Sequence, residues 1–355
     1  MIRYIYIDDD PIMAMPLAKQ FKENDKLDCE FVKCNDDFNL QVDFFDQHNS
    51  LSGVILDLRL SDKTKAKYRG TTLAQQIRTS QKEGKLKSFP IILFSANDKL
   101  RESMESSDYN LFDYCFDKDD NDDDAIIESN KSKLIAIAKA YETPFSFDSL
   151  KIAESYLDER LVYELKKLSN LHKNVVVKFL ITQILEKQGV LINEDVLFAR
   201  LGIDRSQIRE DVVSSIKDKL STIEYTGILS EGWKRWWAPK LEELWETKIE
   251  RGTYLRSTSA KYRVEKFSQY FGIEKLPIRD KIPMANSDRF WTVCKDCHLP
   301  LDPVDGFLIQ GQDSFYPWQE KEYVSKYYAK NSQNKDVWVD VAPIEQDRYN
   351  EFINA

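Results

Sequence analysis

The chain has 355 residues, 31% charged and 42% hydrophobic, with 51 Lys+Arg against 60 Asp+Glu and a formal net charge of −9. This balance suits a soluble globular protein of about two domains and excludes disordered, collagenous and disulfide-scaffold chains. No run approaches the roughly 18 apolar residues of a membrane span.

The opening Met1-Ile2-Arg3-Tyr4 runs into an acidic cluster without the charged, apolar and cleavage regions of a signal peptide. Five cysteines, an odd count at low density, fit a reducing cytosol, so the expected location is cytoplasmic. An acidic chain is a poor binder of nucleic acid and of anionic membranes. The three histidines, His48, His172 and His298, rule out a His-rich metal cage.

Strand-like and helix-like runs alternate through the first half. Tyr4–Ile7 predicts a strand and Ile12–Lys22 a helix; Glu30–Lys33 and Phe38–Phe45 repeat the pair. Gly53–Leu56 precedes a helix over 72–81, and Pro90–Phe94 precedes one over 99–106. Tyr114–Phe116 precedes the last, over 125–141. Three of the strands are apolar on both faces, as in a sheet covered on both sides. Five βα units predict a doubly wound five-stranded parallel sheet. A boundary is expected near Thr143-Pro144-Phe145, giving domains 1–142 and 147–355. Residues 1–150 carry 20 basic and 28 acidic side chains, so most of the charge asymmetry lies there.

Polar residues fall at the carboxyl ends of these strands, where such sheets bind ligands. Asp8, Asp9 and Asp10 follow strand one, Asp57 strand three, Ser95 strand four and Lys118 strand five. The set suits phosphoryl transfer to a carboxylate. Asp8 and Asp9 can hold a hydrated Mg²⁺, Asp57 is the nucleophile, and Mg²⁺ and Lys118 share the developing charge. Ser95 can hydrogen-bond a phosphoryl oxygen. The loop after Asp57 carries Lys63, Lys65, Lys67 and Arg69, which either attract a partner's acidic surface or form a solvated insertion.

Ile7-Asp8-Asp9-Asp10-Pro11, Val54-Ile55-Leu56-Asp57, Phe94-Ser95-Ala96 and Lys118 resemble the receiver domain of two-component response regulators over about residues 1–142. The resemblance implies a flavodoxin-like fold, a histidine kinase as partner, and Asp57 as phosphoacceptor. It implies that Asp8, Asp9, Asp57 and the backbone carbonyl of Arg59 bind Mg²⁺, and that Ser95 and Lys118 sense the phosphoryl group. Two positions depart from the pattern: Asp119 follows the lysine where proline is usual, and Cys115 stands where an aromatic is usual, between Tyr114 and Phe116.

The second half reads as mostly helical, with long amphipathic segments over 152–168 and 175–187, and a mixed, aromatic-rich stretch after Pro277. Cys294-Lys295-Asp296-Cys297-His298 is read as buried thiols, with zinc on Cys294, Cys297, His298 and Asp302 as the alternative. Trp233–Trp237, running on to Trp245, is read as a core helix, with base stacking as the alternative. Val196–Asp204 is a faint helix-turn-helix hint. No nucleophile elbow, P-loop or dinucleotide motif occurs, so no enzyme is expected. A receiver followed by a Trp-rich helical part also resembles, more weakly, the phosphate-buffering regulator of Detocs-type bacterial defence systems. That implies a second receiver-effector protein sharing the kinase. A phosphorylation-activated effector, enzyme or nucleic-acid binder, is the other reading.

Overall fold

The computed structural model describes residues 1–48, 50–95, 108–118, 123–312, 315–331 and 340–354. The chain folds as two compact units, and the first is not contiguous in sequence. It comprises Met1–Lys151, Glu164–Ile181 and Thr226–Trp233, and the second unit takes the remainder. Two segments from the expected second half thus belong to the first unit.

The first unit is built on strands β1 (Ile2–Asp8), β2 (Leu27–Lys33), β3 (Gly53–Leu56), β4 (Ile91–Ser95) and β5 (Tyr114–Asp117). All pairings are parallel, in the order β2-β1-β3-β4-β5. This is the predicted doubly wound sheet. Helices α1 (Pro11–Gln20), α2 (Phe38–Gln47), α3 (Gly70–Lys82) and α4 (Asp124–Glu142) connect and follow the strands. The predicted helix over 99–106 lies outside the described residues.

Both sheet faces are apolar. Ile5, Ile7, Val54, Leu56, Ile91 and Leu93 join one core with Leu73 and Ile77 of α3. On the other face Tyr6, Phe21, Phe94 and Phe116 form an edge-packed aromatic group. Local caps match the sequence: Asp10 accepts from the Ile12 and Met13 amides, and Pro11 opens the helix. Buried Asp113 is fully engaged. Its carboxylate receives Arg78 at 2.6 Å, the Tyr141 hydroxyl at 2.6 Å and the Ile91 amide at 2.7 Å.

The later segments finish this unit. They include the end of α5 (Glu159–Leu168) and α6 (Lys173–Leu180). Trp233 meets Tyr114 edge-on at 5.5 Å, and Lys133 lies over both rings. A Cβ on Gly232 would stand 2.9 Å from the Lys133 backbone, so only glycine lets this segment lie on α4.

The second unit is helical with three two-stranded ribbons. Strand β6 (Leu191–Ile192), helix α7 (Glu194–Leu201) and helix α8 (Glu210–Lys219) precede strand β7 (Trp236–Trp237), which pairs with β6. Helices α9 (Ala238–Leu244) and α10 (Ala260–Phe271) follow. Then come β8 (Thr292–Val293) with β9 (Pro300–Leu301), and β10 (Gly306–Leu308) with β11 (Tyr323–Ser325).

The predicted helix over 152–168 begins later: a 3₁₀ turn at Glu154–Tyr156 precedes α5. The Trp233–Trp237 segment is not helical. Trp236 and Trp237 form β7 and are buried, as are Trp233 and Trp245, so these rings fill core and offer no stacking platform.

Two arginines are fully buried in this unit. Arg200 stacks on Trp291 at 4.0 Å and donates to the Trp291 carbonyl and Glu320. Arg263 donates to the carbonyls of Arg200 and Phe290 at 2.7 and 2.8 Å. The helix-turn-helix hint fails here: every residue from Val196 to Leu201 is buried, Arg200 included.

Candidate functional site

The order of the sheet determines where a ligand can sit. The connection leaving β1 leads to β2 on one side and the connection leaving β3 leads to β4 on the other, so the two diverge and leave a crevice beyond the carboxyl ends of β1 and β3. Asp8 ends β1, Asp9 follows it, and Asp57 follows β3. All three are buried, and each offers an oxygen within 4.8 Å of the others. Among the described residues this is the one group of three or more His, Cys, Asp or Glu close enough to hold a metal ion.

Lys118, at the end of β5, bridges two of the carboxylates. Its Nζ lies 2.7 Å from Asp8 Oδ2 and 2.5 Å from Asp57 Oδ1. Asp8 Oδ2 also receives the buried Tyr6 hydroxyl at 2.5 Å, and Asp8 Oδ1 receives the Asp10 amide. The other oxygen of Asp57 accepts the Arg59 amide at 2.7 Å. Arg59 therefore stands beside the cluster, with its N–H and not its carbonyl on Asp57.

Gly70 opens α3 against Asp57. A Cβ there would come 2.1 Å from the Asp57 carbonyl oxygen, so a side chain would push the aspartate away. Ser95 ends β4 and is wholly buried. Its Oγ has no hydrogen-bond partner among the described residues, leaving a hydroxyl free for an incoming oxygen.

The electrostatics follow from crowding. Burial raises the Asp57 carboxyl above its ordinary range and Asp8 adds to this, against the pull of Lys118. Burial likewise raises Asp9, opposed first by the Lys63 amide. Burial pulls Lys118 down, but Asp57 and Asp8 overcome it and its net shift is upward. Three buried carboxylates and one ammonium leave surplus negative charge in the crevice. The donors are all hard oxygens, the set that Mg²⁺ takes. The residues present therefore fit a divalent cation.

Three features escaped the sequence reading. Tyr6 looked like a plain strand residue, yet its hydroxyl orients Asp8. The Lys63 amide bonds Asp9 at 2.6 Å and its ammonium pairs with Asp10, so the basic loop is folded onto the acidic cluster. The alternation Lys63, Lys65, Lys67, Arg69 with Thr64, Ala66 and Tyr68 was the available signal.

The third feature is the face on which Cys115 lies. Cys115 packs into the core beside Leu93. Tyr114 and Phe116 lie on the opposite face, by strand alternation, with Phe94 and Trp233.

The alternative zinc set is not assembled. Asp302 accepts from Ser287 Oγ at 2.6 Å and from the Val304 amide, while Cys294 is buried and its sulfur accepts the Ser325 amide.

No family model and no curated protein matches the chain. Among solved structures, the RcsB response regulator of Salmonella typhimurium is 11% identical with a TM-score of 0.25, over 78% of this chain and 95% of that one. The response regulator ChrA of a haem-sensing two-component system is 14% identical with a TM-score of 0.25, over 61% of this chain and 97% of that one. A sensor protein from Polaromonas sp. JS666 is 19% identical with a TM-score of 0.29, over 39% of this chain and 98% of that one. Likenesses this distant carry no functional argument; the geometry of the crevice does. Nothing in the fold or the site bears on the Detocs-type resemblance. Among the described residues no helix is long and apolar enough to cross a membrane.

Proposed function

We propose that this chain is a response regulator that accepts a phosphoryl group on Asp57 from a histidine kinase. One observation carries the reading: Asp57 is gathered with Asp8 and Asp9 within 4.8 Å and held at 2.5 Å by Lys118. A carboxylate oxygen of Asp57 attacks phosphorus, the bond from phosphorus to the donor's imidazole nitrogen breaks, and that nitrogen keeps the electron pair. Lys118 passes from the carboxylate to a phosphoryl oxygen, and the free Ser95 hydroxyl donates to another. Asp8, Asp9 and Asp57 would hold Mg²⁺, with the Arg59 carbonyl as the backbone ligand that the receiver resemblance implies. The ion supplies neutralisation of the charge on the transferring group. Tyr6 and the Asp10 amide keep Asp8 aimed.

Acetyl phosphate with Mg²⁺ should add one hydroxylamine-labile phosphoryl group, read by intact mass. Asp57→Asn should abolish it, and undiminished acceptance by that variant would overturn the proposal. Lys118→Ala should slow acceptance or uncouple the response.

The output works by protein contact and not by catalysis. Its finer role is a phosphate sink restraining a second receiver-effector protein fed by the same kinase. A sink needs acceptance but no aromatic relay, which suits Cys115 on the face away from the rings. Asp57→Ala should then raise signalling through the competing receiver. Silencing of the response would instead favour a phosphorylation-activated effector.

A further inference from the structure

The loop between β3 and α3 is a pinned strap. Leu58, Leu60, Ala66 and Tyr68 are buried in the core beneath it. The Tyr68 hydroxyl donates to the Asn35 carbonyl at 2.6 Å and its ring meets Phe38 edge-on at 5.1 Å. Thr64 Oγ1 donates to the Leu60 carbonyl at 2.7 Å, and the Lys65 amide donates to Asp36 at 3.0 Å. Its start, middle and end all touch the site, through the Arg59 amide on Asp57, the Lys63 amide on Asp9, and Gly70 against the Asp57 carbonyl.

With alternate residues held down, Lys63, Lys65, Lys67 and Arg69 are exposed. Lys63 pairs with Asp10. Among the described residues Lys65, Lys67 and Arg69 have no carboxylate partner. A freely solvated insertion would have no reason to be anchored at so many points.

We propose that the strap is a docking site for an acidic protein segment of the phosphodonor, held by Lys65, Lys67 and Arg69 beside Asp57. Naming the donor rests on the phosphoacceptor reading; the surface does not. The site also needs such a device. A donor approaching an acidic crevice on an acidic chain is repelled, and a cationic strip at its edge offsets this and steers encounter. The same surroundings disfavour nucleic acid. Asp36 and Asp62 border the strap and Asp8, Asp9 and Asp57 lie at its edge, so a long nucleic-acid strand would cross them, whereas a segment of a few acidic residues spans Lys65, Lys67 and Arg69 alone.

The test uses the full chain and a fluorescein-labelled hexaglutamate peptide, read by anisotropy at low salt. Binding is expected. It should weaken about tenfold in Lys65→Glu/Lys67→Glu/Arg69→Glu and by less in the triple Gln variant, which guards against a collapsed strap. Hydrogen exchange in residues 63–69 should slow when the peptide is bound. Binding by both triple variants as tight as that of the unaltered chain, or protection elsewhere, would overturn the proposal. So would tighter, equally charge-dependent binding of an oligothymidylate. Acetyl phosphate acceptance by the unaltered chain is read separately, so its failure removes the phosphoacceptor reading while peptide binding still reports on the strap.

Discussion

Each unit buries charge, and they do so in opposite ways. In the second unit the Arg200 guanidinium is closed off by the Trp291 carbonyl, Glu320 and the Trp291 ring, while Arg263 donates to two buried carbonyls and its Nε has no partner among the described residues. In the first unit Asp8, Asp9 and Asp57 crowd together with one lysine to balance them. A buried charge whose hydrogen bonds are complete holds its neighbours in place. A buried cluster with surplus charge of one sign is strained unless a ligand arrives. Asp113, engaged by Arg78, Tyr141 and the Ile91 amide, shows that the first unit can also satisfy a buried charge. The imbalance is therefore local to the crevice.

Substitutions should separate the two kinds. The largest effect is expected at Arg263. Its replacement by alanine strips donors from two buried carbonyls and leaves a hole, costing about 3–5 kcal/mol. Denaturant unfolding measures this, and a loss well below that range would make Arg263 a filler. Next is Gly70→Ala, expected to cost about 1–3 kcal/mol through overpacking and to slow phosphate acceptance by moving Asp57. An unchanged acceptance rate would show that the backbone gives way freely.

Asp57→Asn should act in the reverse direction and stabilise the unliganded first unit by about 1 kcal/mol near neutral pH. The sign follows from proton binding. Folding raises the Asp57 and Asp9 carboxyls above their ordinary value of 3.8, so between that value and their raised ones the folded state binds more protons. Stability from these groups therefore falls as pH rises through that window. The advantage of Asp57→Asn should grow over the same window and shrink when Mg²⁺ is added. An advantage that shrinks as pH rises would mean the cluster is not strained. The smallest effect is expected at exposed Arg160, paired with Asp158 on the surface. Arg160→Ala should leave the unfolding midpoint unchanged.

The contrast also explains what could be read from the sequence. Asp8, Asp9, Asp57, Ser95 and Lys118 each end or follow an apolar strand, so hydrophobic runs alone located them. Tyr6 was hidden because a tyrosine in a strand looks the same whether its hydroxyl meets water or a carboxylate. Arg200 and Arg263 were hidden for a related reason: nothing local tells a buried arginine on a helix from a surface one when its partners lie far along the chain. Trp236 and Trp237 defeated a helical reading because a two-residue strand is too short to show a period. Amphipathic spacing over α6 announced a buried face but not which unit would cover it.

The Gly232–Trp233 segment has a consequence for how such a protein can be rearranged. In a regulator assembled from interchangeable modules, the sheet and its helices would be a cassette ending at Glu142. Here Tyr114 and Lys133 are completed by Trp233, and the approach to α4 depends on Gly232 having no side chain. Recombination at the end of α4 would leave an aromatic and a cation without their shared partner. A cut at the end of α4 would thus part the sheet from a segment encoded well downstream that completes the packing of the same unit.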